Sequence, residues 1–402
     1  MNILLVTDSY PPEIRSASNL MYELAECLKV YGHNICALTS NPRYNLSSPE
    51  ENDLPEYKIE NGIKVLRAKT LPHHKINFVI RGIAQLTMPK IFLACLAKYV
   101  KEKIDVVIVY SPPLPLARVG ESIKTKHNAK FILNVQDVFP QNAIDLGVLA
   151  NPMLIRFFEH IEKKAYRAAD KIIVHSKGNK LFLTSQKNID DDKVDIIHNW
   201  VDVSGYNGKA RSGRFRKKYC LNDKFIFLFA GVIGPSQGLD LVIEAASRVR
   251  DFPDMCFLLV GDGTDKPRLQ QMAWERKLEN VLFHPFVSAQ EYPELVKDAD
   301  VGLVCLSSRN KTPVVPGKIM GYMAAGIPVL AFLQEQSDGH ELIRDAQCGY
   351  SATSDNLQKA VEMILEIYKN RHRLSELGNR GAAYAKKYLT IEKAIEKLQK
   401  LF

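Results

Sequence analysis

A glycine-rich turn is the first feature of this sequence that could bind a ligand. The apolar run 225–230 is followed by the turn 231–238, which reads Gly-Val-Ile-Gly-Pro-Ser-Gln-Gly, and a helix is predicted from Leu239. A second apolar run, 255–260, leads into the turn 261–263, which reads Gly-Asp-Gly. Glycines let backbone amides approach an anion, and the N-terminus of the following helix favours negative charge. Each turn is also compatible with a simple connection between a strand and a helix.

Lys318 strengthens the prediction of an anion site. It follows Pro316 and Gly317, which are expected to begin a helix, and it therefore lies in the first turn of that helix. Acidic residues are usually preferred there, because the backbone amides at a helix N-terminus are partly positive. A bound diphosphate would remove the conflict, whereas an exposed, solvated lysine is the simpler alternative. Three further cations, Arg15, Arg309 and Lys311, also fall on predicted loops.

Two carboxylates are placed where they could orient a substrate. Asp137 follows the apolar strand 131–135, and Glu13 lies shortly after the first strand, 3–7. Parallel sheets bind ligands in the loops that follow the carboxyl ends of their strands, so both residues are candidates for contacts with sugar hydroxyl groups. Asp137 could instead cap the next turn. Neither the Asp190-Asp191-Asp192 turn nor His73, His74 and His160 has the spacing of a metal site, so no metal is expected.

The predicted elements alternate between apolar strands and helices along the whole chain of 402 residues. Strands that are apolar on both faces and separated by helices indicate parallel sheets covered on both sides, and this length favours two domains. We therefore predict an α/β fold with two doubly wound, Rossmann-like domains. The predicted domains are residues 1–203 and 204–385, followed by a C-terminal helix over 386–402 that packs on the first domain.

The segment 75–103 combines apolar residues with six basic side chains and one acidic one. No uncharged apolar run within it reaches the roughly 18 residues needed to cross a membrane. We expect Pro89 to divide it into two short helices, because proline interrupts a helix. Such helices could bind an anionic lipid surface, or they could pack on the core and keep their charges in water. The candidate membrane contacts are Lys75, Arg81, Lys90, Phe92 and Lys98.

Composition and charge argue against several classes of protein. The net charge of +9 suits an anionic partner, but no recognition helix, aromatic RNA-binding signature or basic tail is present, so nucleic acid is not expected. Seven scattered cysteines without a Cys-x-x-Cys pair argue against a disulfide scaffold or zinc ribbon. The first residues read as a buried strand rather than a signal peptide, which favours a cytoplasmic protein.

In order and spacing, these motifs resemble those of family 4 of the retaining glycosyltransferases, which have the GT-B fold. The closer resemblance is to the bacterial O-antigen and colanic acid sugar transferases, and it covers nearly the whole chain. The motifs that carry it are Ile3–Glu13, Gln136–Pro140, Ala168–Ser176, Ile196–Asp202, Gly231–Ala245 and Pro316–Pro328.

The resemblance implies that the second domain binds a nucleotide-sugar donor, that the first binds the acceptor, and that the active site lies between them. The matching donor-binding positions are Gly231, Gly234, Ser236, Gln237, Gly238, Gly261, Gly263, Gly317, Lys318, Gly321 and Tyr322, and Arg309 and Pro316 are further candidate donor-binding residues. The candidate acceptor-binding residues are Arg15, Ser16, Ala17, Ser18, Pro112 and Asp137. The candidate catalytic residues are Asp137, Lys318 and Glu13, none of them a nucleophile, and no cofactor is implied.

Three departures from the family pattern affect the function. Many members carry an arginine and a lysine where this chain has Val232 and Gln237, and these cations neutralise the leaving diphosphate. Members often carry two glutamates at the positions of Pro313 and Gly321, and a glycine pair at Arg15-Ser16. Our hypothesis is that Lys318 and an arginine replace the missing cations.

The sequence thus predicts a metal-independent, retaining transferase that moves a sugar, such as an N-acetylated deoxyhexose, from a UDP- or GDP-sugar to a polyprenyl-diphosphate-linked saccharide. It would act in surface polysaccharide biosynthesis (O-antigen or capsule) as a peripheral protein on the cytoplasmic face of an anionic membrane. Two alternatives stay open: a nucleotide-sugar 2-epimerase of the same fold and a non-catalytic nucleotide-sugar-binding protein.

Overall fold

The computed structural model describes residues 1–46, 52, 54–73, 78–206, 211–288 and 290–402. The chain forms two compact units. Unit 1 comprises Met1–Asn199 together with Ile391–Phe402, and unit 2 comprises Trp200–Thr390. These bounds differ by a few residues from the predicted junctions at 203 and 385.

Unit 1 is built on an eight-stranded sheet. Its strands are β1 (Asn2–Val6), β2 (Asn34–Ser40), β3 (Tyr57–Glu60), β4 (Ile63–Ala68), β5 (Val106–Ser111), β6 (Lys130–Val135), β7 (Lys171–Val174) and β8 (Val194–Ile196). The spatial order is β3-β4-β2-β1-β5-β6-β7-β8, and all neighbours are parallel except β3 and β4. The direction of winding reverses between β1 and β5, where Ile3 pairs with Val106. Such a reversal opens a crevice at the carboxyl edge of a sheet, which is where these folds bind ligands.

The helices of unit 1 that precede unit 2 are α1 (Ser16–Val30), α2 (Phe78–Tyr99), α3 (Ala117–His127), α4 (Gln141–Asp145), α5 (Pro152–Ala168) and α6 (Lys177–Gln186). The apolar side chains of α2, α3 and α5 form one core cluster with the central strands.

Unit 2 has a six-stranded parallel sheet. Its strands are β9 (Phe225–Ala230), β10 (Met255–Val260), β11 (Val281–His284), β12 (Val301–Cys305), β13 (Val329–Leu333) and β14 (Gly349–Thr353), in the order β11-β10-β9-β12-β13-β14. Its helices are α7 (Arg214–Lys218), α8 (Asp240–Arg248), α9 (Lys266–Glu275), α10 (Tyr292–Asp298), α11 (Gly317–Ala325), α12 (Gly339–Ala346), α13 (Leu357–Lys369) and α14 (Leu374–Tyr388). The winding reverses between β9 and β12. The last helix, α15 (Ile391–Leu398), belongs to unit 1 and packs against α1.

The prediction of two helices divided by Pro89 is wrong. Residues 78–99 form the single helix α2, with Pro89 inside it. Ala84, Met88, Phe92 and Leu96 repeat every four residues on both sides of the proline, and all four are buried. Packing of this continuous stripe stabilises one helix although Pro89 lacks an N–H donor.

The same helix is the one segment in the described part of the chain that is long and apolar enough to cross a membrane. The stretch Ile80–Tyr99 has a mean hydropathy of 1.3, and one third of the 18-residue window tested is buried in the protein. A core helix of a soluble protein meets the same criteria, so this finding alone is weak evidence for a membrane span.

Candidate active site

Two glycine-rich loops pack backbone to backbone at the carboxyl edge of the unit 2 sheet. Gly231 follows β9 and Gly261 follows β10, with φ angles of 146° and 156°. A Cβ atom on Gly261 would lie 1.8 Å from the carbonyl oxygen of Gly231, so only glycine allows the two loops to meet. The amide of Ile233 also donates to the carbonyl of Asp262 at 2.9 Å.

Lys318 lies directly on the first of these loops. Its Nζ donates to Oε1 of Gln237 at 2.9 Å and lies 4.8 Å from the ring centroid of Phe229. A Cβ atom on Gly231 would lie 2.7 Å from Cε of Lys318, so the lysine stem covers this glycine. Burial lowers the pKa of Lys318 to about 8. The ammonium group is therefore held in a poorly solvated position, which an anionic ligand would favour.

Other predicted donor residues lie on the first glycine loop, on the segment after β12 and at the beginning of α11. Ser236 and Gly238 connect the first loop to the segment after β12, because Ser307 N donates to the carbonyl of Ser236 at 2.9 Å. Arg309 lies exposed on that segment. A Cβ atom would find open space at Gly317 and only Val232 Cγ1 at 4.0 Å at Gly234. These positions are therefore accessible to a ligand.

Three of the predicted donor residues have structural roles inside unit 2. Tyr322 is fully buried, and its hydroxyl donates to the carbonyl of Leu228 at 3.0 Å and accepts from Ala230 N at 3.2 Å. It therefore anchors α11 to β9, and its prediction as a donor contact is wrong. Pro316 is buried at the N-cap of α11, and Gly263 packs against the backbone of Ile233.

Gly321 faces a tyrosine hydroxyl instead of carrying a carboxylate. A Cβ atom at this position would lie 3.7 Å from the hydroxyl oxygen of Tyr292, with nothing nearer. Burial raises the pKa of Tyr292 to about 12, so its hydroxyl keeps its proton at neutral pH. A hydroxyl donor thus lies near the position where many family members carry a glutamate.

In unit 1, Asp137 follows β6 at the carboxyl edge of the sheet. The residue is accessible to solvent, but many protein atoms surround its carboxyl group, and the resulting desolvation raises the pKa of that group. Tyr110, at the end of β5, is its neighbour: desolvation raises the pKa of Tyr110, and the charges of Asp137 and Asp8 raise it further. An accessible carboxylate beside a tyrosine is suited to bind substrate hydroxyl groups.

Asp8 is the centre of a charged cluster that the sequence analysis did not identify. Its Oδ2 lies 3.4 Å from Arg15 Nη1 and 3.8 Å from His73 Nε2, and it is 2% exposed. Desolvation lowers the pKa of Arg81 and the charge of Asp8 opposes this, so Arg81 also lies near the cluster. The position of Asp8 two residues after β1 parallels that of Asp137 after β6, and this parallel was the signal available in the sequence.

Glu13 is buried and holds a loop. Its Oε1 accepts hydrogen bonds from the backbone amides of Arg43 at 2.8 Å and Tyr44 at 3.2 Å. These contacts give Glu13 a structural position rather than a catalytic one.

The predicted acceptor residues divide into accessible and inaccessible ones. Ala17 and Ser18 are buried in the first turn of α1, so their side chains cannot contact an acceptor, and this part of the prediction is wrong. Ser16 is exposed, and Arg15 and Pro112 are partly exposed.

The predicted membrane residues include both buried and exposed side chains. Phe92 is fully buried in the core of unit 1, so its prediction as a membrane contact is wrong. Lys90 and Lys98 are both exposed, and Lys98 pairs with Glu56 at 2.9 Å. Lys75 lies outside the described residues. Within the described ranges, no group of three or more His, Cys, Asp or Glu side chains could hold a metal ion.

Comparison with known proteins agrees with this division of the chain. Residues 17–200 match the family described as "Glycosyl transferase 4-like domain", and residues 212–387 match "Glycosyl transferases group 1". The two matches together span both units. The chain belongs to the GT-B glycosyltransferases.

Individual relatives of this glycosyltransferase support the same assignment. It is 28% identical over 337 residues to a protein of Escherichia coli named as the colanic acid biosynthesis glycosyl transferase WcaI, covering 81% of this chain and 82% of that protein. It is 24% identical over 300 residues to a protein named as the glycosyltransferase WbjE of Pseudomonas aeruginosa, covering 73% of each. The name of the Escherichia coli relative assigns that protein to colanic acid biosynthesis.

Solved structures confirm the fold. The sucrose-phosphate synthase of Thermosynechococcus elongatus superposes with a TM-score of 0.76 at 15% identity, covering 100% of this chain and 98% of that chain. The predicted GT-B fold with two Rossmann-like domains is therefore correct.

Proposed function

We propose that this glycosyltransferase transfers a sugar, with retention and without a metal ion, from a UDP- or GDP-sugar to a polyprenyl-diphosphate-linked saccharide. The single observation that carries the proposal is the position of Lys318 on the glycine loop of unit 2. A phosphate placed at this loop would meet backbone amides and one ammonium group. These groups stabilise the charge that develops on a leaving diphosphate.

Lys318 supplies the charge that the loop itself lacks. Val232 and Gln237 are uncharged, and Gln237 accepts the hydrogen bond from Lys318 Nζ at 2.9 Å. The amide side chain thus holds the ammonium group over Gly231. The Lys318 ammonium group, which comes from α11, would therefore replace the two cations that many family members carry on this loop. We expect the enzyme to be active for this reason.

Unit 1 is proposed to bind the acceptor through Asp137. Its carboxylate would accept a hydrogen bond from an acceptor hydroxyl and orient that hydroxyl for attack. No protein nucleophile is proposed. When acceptor and leaving group lie on the same face of the sugar, the departing phosphate oxygen can take the proton of the acceptor hydroxyl, and the configuration at the anomeric carbon is retained.

The lipid-linked acceptor and the peripheral location on the cytoplasmic face of the membrane belong to the same proposal. The role of the colanic acid relative and the basic residues of unit 1 support them. The candidate donor sugar is an N-acetylated deoxyhexose.

A screen of nucleotide sugars by thermal shift, followed by transfer assays with the selected donor, tests the proposal. A ligand present at 100 times its Kd stabilises the native state by about 2.7 kcal/mol, which is readily detected. We expect one nucleotide sugar to stabilise the protein selectively and its sugar to be transferred to a lipid-linked acceptor, with the anomeric configuration retained and the rate unaffected by EDTA.

Four results would contradict the proposal. Product formed from the donor alone would indicate an epimerase, and binding without transfer to any lipid-linked acceptor extract would indicate a binding protein. Inversion at the anomeric carbon, or loss of activity in EDTA, would contradict the proposed mechanism.

A further inference from the structure

Unit 1 exposes a group of large apolar side chains at the beginning of α5. Met153 is 81% exposed, Val148 57%, Phe157 45% and Leu154 42%. Single exposed apolar residues are common on protein surfaces, but four within ten positions form a patch that usually marks an interaction site. We call these four residues the apolar tip.

The apolar tip is a fixed part of the fold. Asn151 caps α5, because its side-chain oxygen accepts hydrogen bonds from the amides of Met153 at 2.9 Å and Leu154 at 3.2 Å. The opposite side of the helix is anchored by Phe158, Ile161 and Tyr166, which are buried in the core of unit 1. The first turn of α5 is therefore held with Met153 and Leu154 directed outward.

Basic residues continue the exposed face of α5 beyond the apolar tip. Arg156, Lys163 and Lys164 are all exposed. Glu159 is the one exposed acidic residue on the helix, since Glu162 is buried and paired with Lys187 at 2.9 Å. An apolar group followed by cations on one helix face matches the boundary between acyl chains and anionic headgroups.

The topology places the apolar tip at the same edge of the sheet as the predicted acceptor residue. Since α5 connects β6 to its parallel neighbour β7, it runs back across the sheet, and its N-terminus lies at the carboxyl edge of the strands. Asp137 lies at the same edge, directly after β6. Both α2 and α5 also pack against the turn Leu114–Leu116, which follows β5.

We propose that the apolar tip inserts into an anionic lipid bilayer while Arg156, Lys163 and Lys164 bind the headgroups. This surface differs from the segment 75–103 that the sequence predicts. Bilayer contact here would bring a lipid-linked acceptor to the edge of the sheet that carries Asp137. That link to the acceptor rests on the proposed function, whereas the lipid-binding surface does not.

Vesicle binding by the full chain, without donor or acceptor, tests this proposal. We expect the wild type to co-float with phosphatidylglycerol-containing vesicles and to bind pure phosphatidylcholine weakly. The double variant Met153→Ser, Phe157→Ser should lower the partition coefficient about tenfold, since two apolar side chains leave the acyl region. The double variant Val30→Ser, Trp274→Ser, which removes two exposed apolar side chains elsewhere (80% and 74% exposed), should bind like the wild type.

A second pair of variants tests the basic residues. Lys163→Glu with Lys164→Glu should lower binding to phosphatidylglycerol vesicles about tenfold or more, because each lysine contributes roughly a fivefold factor. Lys386→Glu with Lys387→Glu, an adjacent exposed pair on α14, is the matched control. All the altered side chains are exposed, so unchanged thermal unfolding shows that each variant is folded.

The depth to which α5 enters the bilayer can be measured independently. A tryptophan at position 157 (Phe157→Trp) should be quenched by brominated acyl chains, whereas Val30→Trp should not. Equal binding of the Met153→Ser, Phe157→Ser variant and the wild type would overturn the proposal. So would a loss of binding that occurs only on Lys90→Glu with Lys98→Glu in α2, or a dimer in solution that these α5 variants dissociate while vesicle binding is unaffected.

The two proposals fail separately. Vesicle binding through α5 by a protein with no transfer activity would contradict only the proposed function. The opposite result would contradict only the lipid-binding surface: the enzyme transfers sugar to a detergent-dispersed acceptor, and none of the α5 variants changes vesicle binding.

Discussion

The carboxyl edges of the two sheets are built alike and carry opposite chemistry. Each sheet is wound in two directions from a central strand, and each carries its candidate ligand residues in the loops beside that reversal. In unit 2 these residues are closely packed glycines and the partly desolvated Lys318. In unit 1 they are the carboxylates of Asp8 and Asp137, with Arg15 beside Asp8.

This difference separates binding of an anion from binding of hydroxyl groups. Backbone amides and an ammonium group stabilise phosphate, whereas a carboxylate accepts hydrogen bonds from hydroxyls and repels phosphate. If the two edges serve donor and acceptor respectively, substitutions in unit 2 should affect the donor step and those in unit 1 the acceptor step.

The largest expected effect is that of Lys318→Ala. Removing the ammonium group takes away the cation that Gln237 holds against the first glycine loop, and kcat/KM should fall on the order of 100-fold. The measurement is steady-state transfer with the donor found by thermal shift, together with donor Kd. Lys386→Ala, at an exposed position on α14, serves as control. Full turnover and unchanged donor affinity in Lys318→Ala would remove Lys318 from the site.

Asp137→Asn should have the next largest effect, on the acceptor step alone. Loss of a charged hydrogen-bond acceptor costs about 1.5–3 kcal/mol, which corresponds to roughly 10- to 100-fold in acceptor kcat/KM. Donor binding measured by thermal shift should be unchanged.

The wild-type rate should also depend on pH through this group. Desolvation raises the pKa of Asp137, so the reactive carboxylate is lost at a higher pH than is usual for aspartate as the solution is acidified. The rate of Asp137→Asn should lack that acid limb. Asp192→Asn, in the exposed turn before β8, is the control. A parallel loss of donor binding in Asp137→Asn would contradict the separation of the two edges.

Lys318 also illustrates how far the sequence alone could lead. A lysine in the first turn of a helix conflicts with the helix dipole, and this conflict indicated an anion site. The long apolar strands and their order were predictable for the same kind of reason, since each is apolar on both faces. β3 and β14 were missed because neither is apolar on both faces: the side chains of β3 are largely exposed, and Ala352 is the one buried residue of β14.

What the sequence could not give is the direction of individual side chains. Tyr322 and Lys318 lie four residues apart in α11, yet one anchors β9 inside the core and the other covers Gly231. Ala17 and Ser18 matched the acceptor loop in sequence, but they begin a helix that turns them inward. Asp8 escaped notice because the cluster that its buried carboxylate forms with nearby Arg15 and with His73, which lies 65 residues further along the chain, exists only in the folded structure.

A smaller effect should appear in stability, and it follows from the pKa of Lys318. Its ordinary value is 10.5, and burial lowers it to about 8 in the native state. Between these two values the unfolded chain binds the proton more tightly, so stability rises as the pH increases from 8 towards 10.5. Below pH 8 the full cost of the buried charge is present.

Lys318→Met should therefore be more stable than the wild type at pH 7, by on the order of 1 kcal/mol, once the loss of the Gln237 hydrogen bond and partial solvation are discounted. Methionine keeps the stem over Gly231 without the charge. Urea unfolding at pH 7 and pH 10 checks this, and the difference should shrink at pH 10. A variant less stable than the wild type at pH 7 would show that the ammonium group is well solvated.

The smallest effect on the transfer rate is expected at Glu13, where a catalytic and a structural role give different results. Its Oε1 accepts hydrogen bonds from two backbone amides of the loop after β2. The side-chain carbonyl of glutamine can accept both hydrogen bonds, so Glu13→Gln should change the transfer rate by less than about twofold and stability by about 1 kcal/mol or less. Glu13→Ala removes the hydrogen-bond-accepting oxygen and leaves the two backbone amides without that partner. The free energy of unfolding should therefore fall by about 1–3 kcal/mol. If the rate instead falls tenfold in Glu13→Gln while the unfolding midpoint in urea is unchanged, the carboxylate charge itself acts in the reaction, and the acidic chemistry of the unit 1 edge would extend beyond Asp8 and Asp137.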